Sequence, residues 1–271
     1  MNLDLTPEQE LLRDTFEQLL GVESSCDRVR AAEESGFDPE LWGHLVEVGA
    51  LGVRVSEAHG GMGASLLDAV LLAEQAGRHL VTGPLLESVA VCSALSNSAH
   101  PVAQKILETA LSGERVVSFL PQPGEGEPEL VPGGASATIV VGLDRGELVA
   151  VERETPPERL PDLGRGAFAR WDLSLDGGDS KRTVLASGDE ALAVFERMRE
   201  EWRLLMAAAL GGLGRRAIEI AAEYATERIQ FDRPIGSFQA VAHPLAELVT
   251  ALDGGAILVW RAVAAIGSGA P

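Results

Sequence analysis

From about Gly188 the apolar residues Trp202, Leu205, Ala209, Leu213, Ala217, Ile220 and Tyr224 recur every three or four positions. That period marks one face of a single long helix. A bend at 231–237 follows, and 238 to about 266 reads as a second helix. Gly254 and Gly255 weaken that helix, and Pro244 either kinks it or sits in its first turns. Helices of this length are held mainly by packing against other helices. The C-terminal third therefore commits the chain to a helical domain.

The first 112 residues have the same texture. Thr6-Pro-Glu-Gln9 forms a capping box with proline at the first helical position, and Leu11, Leu12, Phe16, Leu19 and Leu20 make the apolar face behind it. Asp38-Pro39 opens a helix carrying Leu41, Trp42, Leu45 and Val48, which Gly49 stops. Further helices fit 65–78, 84–97 and 101–112, with Gly113 as the last stop. The segment His59-Gly-Gly-Met-Gly-Ala64 reads as a connection between helices rather than a ligand loop. At 115 the texture changes: short β-branched runs at 116–120, 138–141, 147–151, 169–175 and 183–185 alternate with turns, and Leu143-Asp-Arg-Gly146 reads as a hairpin turn. The stretch 121–132 reads as an exposed loop. The expected fold is mainly α with a small β domain: helical 1–114, β 115–187, helical 188–271.

A net charge of −19 repels nucleic acid and anionic membrane, so neither is expected as a partner. A phosphate-bearing ligand must then be held by local arginines or helix N-termini. Cys26 and Cys92 match no metal or redox spacing and read as two free buried thiols of a cytoplasmic protein. The five histidines are scattered, so no metal is assigned. The N-terminus lacks the pattern of a secretory signal, and no apolar run reads as long enough to span a bilayer.

Three stretches bear on chemistry. Gly212-x-Gly214-x-x-Ala217, with Asp232 about twenty residues on, matches a dinucleotide-binding fingerprint. Residues 204–210 would have to be its strand, yet they hold three alanines and no β-branched residue, and the helical period runs straight through the glycines. Small residues that let two helices approach closely are the better reading. Glu200-Glu201 beside Trp202 and Arg203 reads as a surface ion-pair cluster, with a general base anchored by an arginine as the alternative. In the bend, Arg228 and Arg233 offer planar forks of donors to phosphate, Phe231 and Phe238 offer faces to a flat ring, and Gln239 stands at the next helix N-terminus. A plain helix corner with solvated arginines is equally compatible with those residue types.

Arg228-Ile-Gln-Phe-Asp-Arg-Pro-Ile-Gly-Ser-Phe-Gln-Ala-Val-Ala-His243 resembles the R-x-QFGRPIGSFQAxQH segment of acyl-CoA dehydrogenases. The likeness extends through Leu245-Ala-Glu247. It is matched upstream by Leu5-Thr-Pro-Glu-Gln9, by Leu51-Gly-Val-Arg-Val-Ser-Glu-Ala-His-Gly-Gly-Met-Gly63 and by Glu74. The resemblance implies a helical domain, a central β-barrel-like domain and a C-terminal helical bundle of which the first two long helices are present. It implies FAD-dependent αβ-dehydrogenation of an acyl-CoA thioester: a carboxylate takes the α-proton, the β-hydride passes to FAD, and dimers or tetramers share their flavin sites. By that likeness Arg228 and Phe231 reach the FAD of a neighbouring subunit, Gln239 belongs to the same segment, and Arg203 matches an arginine beside the substrate.

The departures from the family are specific. Asp232 replaces the glycine after the QF pair. The flavin-lining T-E-x-x-x-GSD motif is absent after Val116-Val-Ser-Phe-Leu120, where Pro121-Gln-Pro-Gly-Glu-Gly-Glu-Pro128 stands instead. The W-[IS]-T segment is absent near Leu130-Val-Pro-Gly-Gly134. The base position on the long helix is Trp202, so no catalytic residue is assigned. Most members place that glutamate beyond the last helix of this sequence, in C-terminal helices this sequence is expected to lack. Two expectations stay open: a dehydrogenase lacking its C-terminal part, or a non-catalytic subunit completing the FAD site of a heteromeric enzyme.

Overall fold

The computed structural model describes residues 4–268. Helices come first: α1 (Pro7–Glu23), α2 (Cys26–Ala31), α3 (Pro39–Glu47), α4 (Leu66–Arg78), α5 (Leu85–Ser96) and α6 (Pro101–Leu111). Strands follow: β1 (Val117–Phe119), β2 (Glu129–Val131), β3 (Ile139–Asp144), β4 (Glu147–Arg153), β5 (Ala169–Trp171) and β6 (Ser180–Ser187). The chain closes on α7 (Gly188–Glu227), a two-rung hairpin of β7 (Ile229–Gln230) and β8 (Arg233–Pro234), and α8 (Gln239–Ser268). The helix α2 and strand β2 escaped the sequence reading. Six residues are too few to show a helical period, and β2 lies in a stretch whose Gly, Pro and Glu content reads as loop.

Several local signals work as their chemistry dictates. The capping box is formed in full: Gln9 N–H donates to Thr6 Oγ1 at 3.3 Å and Thr6 N–H to Gln9 Oε1 at 3.0 Å. Asp38 caps α3 by accepting from the N–H groups of Glu40 and Leu41. Arg28 donates to the same carboxylate from α2 at 2.8 Å. Burial works against the charge on Asp38, yet the Leu41 N–H and Arg28 hold its pKa below the usual range. Arg145 and Gly146, with φ of 48° and 82°, turn β3 into β4, pairing Asp144 with Glu147 across a two-residue loop. One expectation fails on α1: Phe16 and Leu20 are buried, but Leu11 stands exposed, so the buried stripe is narrower than the period suggests.

The chain forms two compact units. One comprises Gly21–Ser65 and Val81–Arg203. Its main sheet has the order β1-β3-β4-β6, with β1 parallel to β3 and the other pairs antiparallel; β2 and β5 form a separate pair. Both faces of β3 and β4 are covered, so all six residues of β3 are buried. Ile139, Val141, Leu148 and Ala150 face a core shared with α5, α6 and Phe195 of α7. Val140, Val149 and Val151 face the other way, onto Leu120, Val131 and Trp171. The Trp171 indole N–H donates to Gly134 O at 2.9 Å, so this ring is buried without an orphaned polar atom.

The second unit comprises Met1–Leu20, Leu66–Leu80 and Leu204–Pro271. Here α4 and α7 cross so closely that a Cβ on Gly77 would lie 1.8 Å from Ala209 O, and one on Gly212 would lie 2.0 Å from Glu74 O. A Cβ on Gly214 would meet Leu252 of α8 at 2.9 Å. The glycines of the apparent dinucleotide fingerprint therefore lie inside α7, where they admit neighbouring helices. Residues 204–210 before them are helix, not strand, and the nucleotide-fold alternative is excluded. Arg78 holds Glu219 with two hydrogen bonds of 2.8 and 2.7 Å, and Arg215 reaches Asp253 at 2.8 Å.

One sequence reading is corrected on α8. The span Gln239–Ile266 is long and apolar enough, by length and composition alone, to cross a bilayer, with a mean hydropathy of 1.5 in its most apolar window. The acids and glycines that break the run to the eye are too few to lower the average. None of that window is buried within the chain.

Candidate flavin-facing hairpin and a buried carboxyl cluster

The first site is the turn between α7 and α8. The β7–β8 ladder pairs Ile229 with Pro234 and Gln230 with Arg233, and Ile235 N–H donates to Arg228 O at 2.8 Å. Phe231 and Asp232 form its two-residue loop, both left-handed with φ of 53° and 61°. That is the primed turn which matches strand twist, but it asks positive φ of a phenylalanine. The conformation holds the Phe231 ring outward, 86% exposed. Arg228, at the base of the hairpin, and Gln239, the first residue of α8, are exposed too. The hairpin thus gathers the three predicted cofactor residues on one segment.

The expected ring slot between Phe231 and Phe238 is not formed. The two rings meet edge to face, 6.0 Å apart at 82°, and the Arg233 guanidinium lies 4.1 Å over Phe238. These contacts brace the tip from within and leave the outer face of Phe231 as its free aromatic surface. For an anion the site offers the Arg228 fork and the N-terminus of α8, a donor set suited to phosphate oxygens. Asp232 places an acidic group in the same turn.

The second site lies where α5 meets α7. Trp202 is half-buried and donates from its indole nitrogen to Glu87 Oε1 at 2.9 Å. Its ring sits edge-on to Phe119 of β1 at 6.1 Å. Glu201 accepts from Arg54 at 3.3 Å and from Ser93 Oγ at 3.0 Å. Arg54 also donates to Ala64 O at 2.9 Å. Burial is the main cause that pushes both carboxyls up; the Trp202 bond opposes it for Glu87, and Arg54 and Ser93 oppose it for Glu201. The reading of Glu201 as a surface pair is therefore corrected, since its side chain is 15% exposed. Glu87 was not found from sequence: it lies in an apolar helix where one acid reads as a solvated face, and its partner is 115 residues away. Arg203, the predicted substrate residue, is exposed.

The cysteine reading is half corrected: both thiols are free, but only Cys92 is buried and Cys26 is exposed. Burial pushes the Cys92 thiol up to about 12, which makes it inert. Among the described residues no cluster of three or more His, Cys, Asp or Glu side chains is placed to hold a metal.

The helical units and small mixed sheet are the architecture of flavoprotein dehydrogenases acting on acyl thioesters. Residues 6–114 match the acyl-CoA dehydrogenase N-terminal domain, and residues 192–271 match the acyl-CoA dehydrogenase C-terminal domain. Acyl-CoA dehydrogenase IpdE2 of Mycolicibacterium smegmatis is 33% identical over 96% of this chain and 78% of its own length. Acyl-CoA dehydrogenase IpdE2 of Mycobacterium tuberculosis is 34% identical over 90% and 72%. Among solved structures, the Tcur3481-Tcur3483 steroid ACAD superposes with a TM-score of 0.82 at 26% identity, covering 97% of this chain and 79% of that one. The ChsE4-ChsE5 complex of Mycobacterium tuberculosis shares the fold at a TM-score of 0.80 and 24% identity, over 99% and 80%. The chain belongs to the acyl-CoA dehydrogenase family.

Proposed function

We propose that this chain is a subunit of an FAD-dependent acyl-CoA dehydrogenase and that it completes a flavin site held mainly by another chain. The observation that carries this reading is the hairpin tip, where a strained turn holds Phe231 almost fully exposed, with Arg228 at the base of the same hairpin. An apolar ring costs free energy in water, and a left-handed phenylalanine adds to that cost. Both are explained if the ring stacks on a flat group from outside. Bound there, FAD would supply the hydride acceptor; Arg228 and the α8 N-terminus would hold its phosphates, and Phe231 would cover part of its surface.

The loop after β1 supports the division of labour. Gly124 N–H donates to Leu143 O at 2.7 Å, which pins this loop beside the end of β3, and residues 121–128 carry neither the Thr-Glu pair nor the Gly-Ser-Asp run of the family's flavin-lining motif. Relatives described as complexes support a heteromeric assembly. The similarity to a steroid ACAD supports polycyclic acyl thioesters as test substrates beside fatty ones. The open apolar surface of α8 supports a protein neighbour there, since Asp253 in its middle is paired with Arg215 rather than placed for lipid. Two free thiols support a reducing, cytoplasmic location. A second reading, catalysis by this chain itself, has one observation in its favour: two buried carboxyls with raised pKa.

Purification of the chain alone, and co-expressed with a full-length acyl-CoA dehydrogenase chain from the same genome, separates the readings. The chain alone is expected colourless, and the complex yellow and bleached by acyl-CoA. Arg228→Ala in the complex is expected to weaken flavin retention by about 1.5–3 kcal/mol, the range of a charge-assisted hydrogen bond. A yellow, active protein from this chain alone would sink the partner role.

A further inference from the structure

The apolar period that marks α7 runs on past its cover. Leu205 is buried, but Leu210, Leu213, Ile220 and Tyr224 are between 38% and 60% exposed, with Ala217 exposed among them. Gly212 admits α4 and Gly214 admits α8, so both neighbouring helices take other faces of this stretch. The exposed residues are spaced three, four, three and four positions apart. That is the a/d repeat of a coiled-coil seam, not a scatter of single apolar side chains. Arg216 and Glu223 lie seven positions apart, so they share one edge of the seam, and both are exposed. Arg216 reaches Glu219 of its own helix at 3.4 Å on an exposed surface, a contact worth little to the fold and easily exchanged for another.

We propose that this seam docks a second copy of the chain, the two α7 helices running antiparallel across a two-fold axis. With the axis between 218 and 219, Ala217 meets Ile220 of the other copy and Leu213 meets Tyr224, so the smaller side chain faces the larger in each layer. The same register brings Arg216 of each copy alongside Glu223 of the other, and the two-fold makes every such pair twice. A parallel pairing would instead set Ala217 on Ala217 and leave Arg216 opposite Ala221. The overall charge does not forbid the contact. Residues 204–271 hold five arginines against six aspartates and glutamates, so nearly all of the −19 sits elsewhere in the chain. The pairing goes beyond the subunit reading and does not depend on it, since neither flavin nor acyl-CoA takes part.

The test is sedimentation equilibrium of the full-length chain at about 0.15 M sodium chloride, where charges still act over about 8 Å. Wild type is expected to show a monomer–dimer equilibrium. Ile220→Lys puts a charge into the seam and is expected to weaken pairing by about tenfold or more. Arg216→Glu and Glu223→Arg each set like charges across the two-fold and are expected to weaken it too, whereas the two exchanges combined restore it. Leu258→Lys, on α8, is expected to leave pairing unchanged. A wild type that stays monomeric overturns the proposal, and so does a dimer that survives Ile220→Lys or is lost with Leu258→Lys. A combined exchange that recovers nothing overturns the antiparallel register. Should Ile220→Lys fail to fold by circular dichroism, Tyr224→Lys takes its place with the same two outcomes. Flavin uptake by the co-expressed complex is read separately by absorbance: pairing without a yellow complex sinks the subunit reading and leaves the dimer standing.

Discussion

At the scale of single residues, the hairpin turn and the buried glutamate are two places where the chain departs from local preference. Asp232 replaces a glycine at a φ of 61°, where glycine carries no steric cost. Asp232→Gly removes both the strain and the acidic charge from the tip. We expect a stability gain of about 1 kcal/mol at most in urea unfolding, because glycine also loses more entropy on folding. Flavin retention in the assembled enzyme should rise; a fall would mean that Asp232 itself contacts the nucleotide. Glu87 carries a prediction of opposite kind. Its folded-state pKa is raised, so the folded protein holds the proton to higher pH than the unfolded chain does. Its stabilising share is fully present below the unfolded value, roughly pH 4, and is lost as pH rises through the folded value. Glu87→Gln keeps an acceptor for Trp202 and cannot ionise. The variant should therefore match wild type at acid pH and exceed it at neutral pH; a gap that does not change with pH would contradict the assignment.

At the scale of elements, legibility in the sequence followed the range of the forces involved. The capping box at Thr6, the Asp38 cap and the Arg145-Gly146 turn are settled within a few residues, and each was readable. The helix α2 is too short to show a period, and strand β2 depends on pairing with the distant β5, so neither was readable. The site divided the same way. Arg228, Phe231 and Gln239 lie within twelve positions of one another and formed a readable segment, whereas Glu87 and Trp202 met only through the fold. The expected slot between Phe231 and Phe238 failed because residue type does not fix ring orientation, and two neighbouring aromatic rings satisfied each other first. The glycines of α7 carry their own prediction. Gly212→Ala drives a methyl into the Glu74 carbonyl across the α4–α7 crossing, and backbone cannot yield as a side chain does. Overpacking of this kind costs about 1–3 kcal/mol, read as a lower thermal midpoint. Gly211→Ala, where a Cβ meets nothing within 4 Å, is the control and should stabilise slightly through helix propensity.

At the scale of the whole molecule, two properties oppose each other. The chain carries a net charge of −19, yet α8 leaves apolar residues such as Leu248, Ile257 and Leu258 exposed. Charge repulsion keeps isolated copies apart over about 10 Å at 0.1 M salt and over far less at 1 M. The isolated chain should therefore self-associate as sodium chloride is raised, visible as a growing sedimentation coefficient. On the proposed assembly, with the partner seated on α8, the complex should show no such growth. Identical salt behaviour of chain and complex would place the partner elsewhere.

The crossing of α4 and α7 has a further consequence for how this sequence changes over generations. At Gly77 and Gly212 the two backbones touch with no side chain between them. There is nothing left to trim at either position, so every substitution adds atoms where none fit. Any exchange there moves stability in one direction only, downward, so a plain helix crossing alone accounts for letters that otherwise spell a nucleotide-binding loop.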